Sequence, residues 1–249
     1  MIYLSVCSRS EDADRPTLKK LRSWVKESGD DNACKNPIAL EVEFDASSIY
    51  EGHKANFKKF KELWVGLSPT DIIVMCHDDV EILSTHEKFQ EMIAVARSPG
   101  AGFVGVAGAC KFGVDGAWWN ARRDGSARGF VWQGPSDVEM TPNYFGKPGQ
   151  VAVLDGCFIA ATWETICKIG MDQPSYLSSG WDYYDIHLTF MAYLEGLTNY
   201  TVPIMIRHES SGVMRKGWYD AKHEFMKEHK PNIPCSLPVN KTNGLPLQE

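Results

Sequence analysis

Three places in the chain put metal-binding or proton-moving side chains close together. The first is His77-Asp78-Asp79, directly after the apolar run Ile72-Ile73-Val74-Met75-Cys76. Two adjacent carboxylates beside an imidazole, at the mouth of an apolar strand, are costly to desolvate, and a divalent cation relieves that cost. Hard ions such as Mg²⁺ or Mn²⁺ suit carboxylate oxygens and complete their shells with water and substrate phosphates. The plainer alternative is a polar strand-to-loop turn. The second place is Trp181-Asp182-Tyr183-Tyr184-Asp185-Ile186-His187. It opens a helix, where a carboxylate serves either as a cap or as a general base held on a rigid element. The third is Arg207-His208-Glu209-Ser210-Ser211-Gly212. There His208 is either a metal ligand at a strand end or a polar residue entering a loop.

The elements that must position these groups are legible in the periodicity. Residues 2–7 read as a buried strand. Asp14 and Pro16 look like an N-cap and an early helical proline, with Leu18, Leu21 and Val25 at helical spacing and Gly29 as the stop. Residues 38–44 alternate with period two. A helix is expected from about Ser48 to Trp64, with Phe57, Phe60 and Leu63 on one face. Residues 71–76 have the continuous apolar character of a central strand. Ser84-Thr85-His86-Glu87 has the form of a capping box before a helix carrying Phe89, Met92, Ile93 and Ala96. Residues 102–108 read as a further strand. The first 108 residues thus spell β-α-β-α-β-α-β, the pattern of an open α/β sheet. Such sheets bind ligands beyond the carboxyl ends of their strands. That rule gathers Ser8 and Arg9, Asp45, and His77-Asp78-Asp79 on one rim.

Residues 111–150 change character, rich in Gly, Arg, Trp and Asp with no clear period, and read as loops and short strands over a site. Strand character returns over 151–161, broken at Asp155-Gly156. A helix is expected over 185–195, a strand over 201–206 and a helix over 218–229. The segment 231–249 reads as an arm or tail.

The totals fit one large α/β unit: 249 residues, 43% hydrophobic and 23% charged. A net charge of −6 argues against a general nucleic-acid binder. The seven cysteines form no C-x-x-C pair, and several lie in apolar runs. They are expected to be small buried hydrophobes rather than disulfides or zinc ligands. No stretch has the apolar length of a bilayer span, and residues 1–7 are too short for a signal-peptide core. A cytoplasmic location is expected. The glycosylation sequons at Asn199 and Asn240 are attributed to chance.

Several segments, taken in order, carry a resemblance: Ser47 to Lys54, Val74-Met75-Cys76-His77-Asp78-Asp79-Val80, Leu154-Asp155-Gly156-Cys157-Phe158-Ile159, Tyr184-Asp185-Ile186-His187-Leu188 and His208-Glu209-Ser210-Ser211-Gly212. Their order is similar to that of the family 2-like glycosyltransferases, in the branch of small bacterial and viral proteins with an HDD-V element, and covers residues 1–225. The resemblance implies a GT-A (Rossmann-like nucleotide-diphospho-sugar transferase) fold: α/β, with a mixed, mostly parallel central sheet flanked by helices. It implies a single domain over 1–230, with 1–108 as the nucleotide-sugar half and 109–230 as the acceptor half. Position by position, it implies Asp79 and His208 as ligands of Mn²⁺ or Mg²⁺. Ser8, Arg9, Asp45 (or Glu43), Lys54, His77 and Asp78 fall at the nucleotide-sugar donor, with UDP favoured. Asp155 and Gly156 line the side of a glycan or other hydroxyl acceptor, and Trp118 and Trp119 either stack on a sugar or pack their loop. Asp185 is the implied base of an inverting displacement, with Asp182 the fallback. The chain departs from the family pattern at His77, where the first Asp would stand, at Tyr184, where a Glu would stand, and at His187, where a second Asp often follows. Arg122, Arg123 and Arg128 belong either to a lid over the donor or to a solvated loop.

Two other readings compete. A sugar-phosphate nucleotidyltransferase also pairs an α/β sheet with acidic metal ligands, but the stretch after the first strand is acidic rather than a basic Gly-rich phosphate loop. A non-catalytic glycan-binding module on a degenerate transferase scaffold would account for the departures from the pattern.

Overall fold

The computed structural model describes residues 1–9, 14–30, 37–63, 66–136 and 138–237. The first half alternates as the periodicity predicts: β1 (Ile2–Cys7), α1 (Pro16–Asp30), β2 (Ile38–Glu43), α2 (Ile49–Leu63) and β3 (Ile72–His77). β1 pairs in parallel with β2 and with β3, in registers that set Cys7 opposite both Glu43 and His77. The three carboxyl ends therefore share a rim. Helices α1 and α2 hold their apolar faces on this sheet through Leu18, Leu21, Phe57 and Phe60, all buried. Leu63, expected beside the two phenylalanines, ends α2 and is exposed.

Beyond β3 the chain crosses into a second sheet. The order continues with β4 (Val80–Ile82), α3 (His86–Ile93), β5 (Ala101–Gly105), β6 (Ala107–Ala109) and β7 (Lys111–Phe112). The predicted strand 102–108 is thus two strands in two sheets. The crossing at Val106 works because Phe130 N donates to its carbonyl at 3.0 Å. Gly129 (φ +101°) lies so close that a Cβ there would meet that oxygen at 1.9 Å. The capping box also falls one residue later than expected. Thr85 caps α3 by accepting from Lys88 N at 3.3 Å, while Ser84 Oγ accepts from Met205 N at 2.8 Å.

The middle segment is more regular than its composition implies. A 3-10 helix over Trp118–Asp124 precedes β8 (Ala127–Gln133) and β9 (Thr141–Gly146), which form an antiparallel hairpin. Then come β10 (Gly149–Val151), β11 (Val153–Leu154), β12 (Phe158–Thr162), α4 (Trp163–Ile169), α5 (Tyr184–Leu194), β13 (Thr198–Thr201), β14 (Ile206–His208), α6 (Lys216–Glu228) and β15 (Cys235–Ser236). The single strand predicted over 201–206 is replaced by β13 and β14. Pro203, which has no N–H for a ladder, lies in the gap between them. β15 pairs with β7, so the expected tail is tied to the body as far as Leu237.

The protein is α/β, with a mixed central sheet of order β10-β13-β5-β12-β3-β1-β2 flanked by helices. The sheet is parallel across β2-β1-β3 and β5-β13, and β12 runs antiparallel between β5 and β3. The second sheet runs β11-β6-β8-β14-β4, with β9 on β8. One buried polar side chain of β13 holds β5, α5 and the link between β10 and β11 together. Asn199 Oδ1 accepts from Phe103 N, and Nδ2 donates to the carbonyls of Ala152 and Thr189, each at 2.8 Å. That fully buried amide has no room for a glycan, in keeping with a chance sequon. Among the described residues six cysteines are free, and no helix is long and apolar enough to cross a membrane.

Candidate functional site

The seam between the two sheets holds a cavity of about 730 Å³. Its walls bring together most of the residues singled out from the sequence: Arg9, His77, Asp78, Asp79, Asp155, Gly156, Trp118, Trp119, Asp182, Asp185 and His208. Asp78 and Asp79 form the two-residue turn between β3 and β4. Antiparallel pairing then sets His208 of β14 opposite Val80 of β4, and Glu209 N donates to Asp79 O at 2.9 Å. The ladder is what carries His208 to Asp79 across the intervening sequence.

At this point three donor atoms converge. His208 Nε2 lies 3.2 Å from Asp79 Oδ1, and His77 Nδ1 lies 3.9 Å from it. The two imidazole nitrogens are 3.5 Å apart. Metal–nitrogen and metal–oxygen bonds of about 2.0–2.2 Å set neighbouring ligand atoms at comparable spacing. Asp79 Oδ1 is a buried carboxylate oxygen without a hydrogen-bond partner among the described residues. Its contact with His208 is close in distance yet misdirected for a hydrogen bond. An acceptor in that state facing two imidazoles suits a cation. The charges are mutually tuned. Burial would raise the Asp79 carboxyl, but His208, His77 and Arg15 outweigh it and hold the group low. Burial would lower His208, but Asp79 outweighs that and raises it. At His77 burial prevails over Asp79 and lowers the imidazole.

The rest of the HDD triplet faces another way. Asp78 Oδ2 accepts from Ser8 Oγ and pairs with Arg15, both at 2.6 Å, and Asp78 O accepts from Thr17 Oγ1 at 2.9 Å. Asp78 therefore clamps the end of β1 and the start of α1. Nothing in the sequence marks Arg15, which stands between Asp14 and Pro16 of the helix-start signal and reads as surface charge. Arg9 lies over the Trp181 ring at 4.9 Å and 4.0 Å from Asp182 Oδ1. Asp182 Oδ2 accepts from Ser179 Oγ at 2.7 Å, a local cap.

α5 begins with strain. Tyr183 has φ +68° and is held there by its hydroxyl on Gly116 O and by the rings of Trp218 and Phe225. The turn aims Tyr184 and Asp185 at the cavity. Asp185 Oδ2 accepts from Gly156 N at 2.7 Å. Although some of its surface faces the cavity, desolvation, followed by repulsion from Asp155, pushes its carboxyl up to about 7. The approach depends on glycine: a Cβ at 156 would meet Tyr184 Oη at 2.6 Å and Asp185 Cβ at 2.7 Å. Asp155 itself accepts from Trp118 Nε1 at 3.2 Å and from Cys157 N at 3.0 Å.

Other expected residues lie apart. Lys54 pairs with Glu51 and Asp172, at 2.6 and 2.9 Å, outside the cavity lining. Asp45, at φ +50°, is on the same rim but not in the lining, and Glu43 pairs with Lys59. Trp118 is buried against Phe145, while Trp119 meets Trp218 at 5.3 Å. Trp218, expected on the inner side of its helix, lines the cavity. The three arginines proposed for a lid lie outside the lining as well. Arg122 covers Phe145, and Arg128 donates to Gly125 O and Ala127 O.

No protein-family model matches the chain, and no curated protein matches it. Among solved structures the chain is similar to that of A197 from STIV, with 13% sequence identity, 86% of this chain and 97% of that chain covered, and a TM-score of 0.45.

Proposed function

We propose that the protein is a metal-dependent glycosyltransferase with a GT-A fold over residues 1–230. It would move a sugar from a nucleotide diphosphate, UDP favoured, to a glycan or other hydroxyl acceptor with inversion. The observation that carries this reading is one cavity in which His77, Asp79 and His208 converge beside a carboxylate with a pKa near neutrality, Asp185. His77 Nδ1, Asp79 Oδ1 and His208 Nε2 are the atoms that would hold the cation. Two imidazoles in the set favour Mn²⁺ over Mg²⁺, which prefers an all-oxygen shell. A bound cation would supply positive charge against the leaving diphosphate.

The chain's own groups do the remainder. Arg9, Arg15 and Arg215 line the cavity and supply cationic charge for a diphosphate. Trp119 and Trp218, inclined at 35° to each other, offer an apolar face for a pyranose ring. Asp185 accepts the proton of the acceptor hydroxyl, a task suited to a carboxylate that titrates near neutrality. Gly156 N, donating to Asp185 Oδ2, holds the carboxylate in place.

The test is a thermal-shift screen against UDP-, GDP- and dTDP-sugars, each with and without Mn²⁺. Stabilisation by one nucleotide sugar, enlarged by Mn²⁺, is expected. No stabilisation by any nucleotide in the presence of metal would sink the reading. Binding of glycan alone, indifferent to metal and nucleotide, would mark a non-catalytic module instead.

A further inference from the structure

To ligate a cation, His77 must present a lone pair, rather than an N–H, to Asp79 and His208. A neutral imidazole has one bare nitrogen, and which one is bare depends on what the other nitrogen meets. His77 Nε2 lies 3.1 Å from Tyr184 Oη. Tyr184 Oη donates to Gly156 O at 2.6 Å. A phenol has a single proton. With that proton on Gly156 O, the tyrosine oxygen can only accept from His77, so Nε2 carries the hydrogen and Nδ1 is bare. Nδ1 is the atom that faces His208 and Asp79.

We infer that Tyr184 is a positioning residue that fixes His77 in the tautomer able to ligate a cation, using the Gly156 carbonyl to orient its own hydroxyl. This rests on the cation site proposed above. The same peptide serves both halves of the site: Gly156 O receives Tyr184, and Gly156 N holds Asp185. The tyrosine is buried, its ring 6.2 Å from that of His77, and the missing Cβ at Gly156 is what lets its hydroxyl approach. His77 and Tyr184 are also two of the positions where the sequence departs from the pattern it resembles, and here they meet in one hydrogen bond. An outer partner that orients a ligating histidine typically contributes about 10–100-fold to metal affinity.

The experiment is a double-mutant cycle read by Mn²⁺ binding, using wild type, Tyr184→Phe, His77→Ala and the double variant. Tyr184→Phe keeps the ring, and its fold is checked by circular dichroism. It is expected to weaken Mn²⁺ binding by about tenfold or more, and to add nothing in the His77→Ala background. A second readout needs no metal. Imidazole ¹⁵N shifts of His77 in the metal-free protein should report the Nε2–H tautomer in wild type and a mixture in Tyr184→Phe. Unchanged affinity and tautomer in Tyr184→Phe would overturn the inference while leaving the cation site intact. Equal weakening in both backgrounds would also overturn it, because the tyrosine would then act through packing alone. If wild type binds no Mn²⁺, the cation site itself falls, and this inference falls with it.

Discussion

Two clusters in this molecule pair histidines with a tyrosine, yet they differ in kind. In one, His77 and His208 meet Asp79 at the cavity, and Tyr184 stands behind His77. In the other, Tyr176 Oη bridges His187 Nδ1 at 2.7 Å and His229 Nε2 at 2.9 Å. That second cluster is packed among Phe190 and Phe225. One phenol proton satisfies it: Tyr176 donates to one imidazole and accepts from the other. Burial, then the neighbouring His229, pushes His187 down to about 4, and burial outweighs Glu228 in lowering His229. Among the described residues no side-chain nitrogen or oxygen of this cluster is buried without a hydrogen-bond partner. The first cluster has a buried carboxylate oxygen without a hydrogen bond, and its nitrogens converge rather than being separated by a hydroxyl. Residue type does not distinguish a candidate ligand set from a structural bridge here. The direction of the lone pairs does.

The comparison breaks most sharply at Asp185. Asp185→Asn is expected to lower kcat by about 10²–10⁴-fold while leaving Mn²⁺ affinity unchanged. In wild type, kcat should rise with pH through about 7 as the carboxyl deprotonates, and the variant should lose that rise. Retained turnover would move the base to Asp182. Next in size, Asp79→Ala should cost Mn²⁺ affinity more than the about 10–100-fold typical of an outer partner, as measured by isothermal titration calorimetry. Equal affinity in the variant would place the cation elsewhere.

Tyr176→Phe should destabilise the fold by about 1–3 kcal/mol, because it leaves buried imidazoles short of a partner. Its Mn²⁺ affinity should match wild type; a drop would show that the two clusters are linked. Acid titration sharpens the contrast. His187 has a folded pKa depressed from 6.5 to about 4, so the unfolded state binds more protons in that window. Its contribution is full above 6.5 and is lost as pH falls toward 4. Asp185 has the opposite sign: its folded pKa is raised from 3.8 to about 7, so its contribution is lost as pH rises across that range. In urea melts, Asp185→Asn should therefore steepen the loss of stability on acidification. Smallest is Thr85→Ala, remote from both clusters. It should cost about 1 kcal/mol as a lost helix cap and leave affinity and turnover unchanged.

Much of this is legible in the sequence alone. The apolar runs at 2–7 and 71–76, with the amphipathic stretches between them, determine three parallel strands and the rim on which Ser8, Asp45 and His77 fall. That information is local: side-chain period and helix-cap chemistry act over a few residues. The pairing of Asp79 with His208 was expected from resemblance, but what makes it is the β4–β14 ladder, a contact between residues over a hundred positions apart. The split at Val106 was invisible because a continuous apolar run reads alike whether it feeds one sheet or two. Only tertiary structure decided that His77 joins Asp79 and His208 while Asp78 turns to Arg15, and that His187 belongs to the other cluster. Neighbours in sequence point different ways, and it is the partner waiting across the fold that decides which lone pairs remain bare.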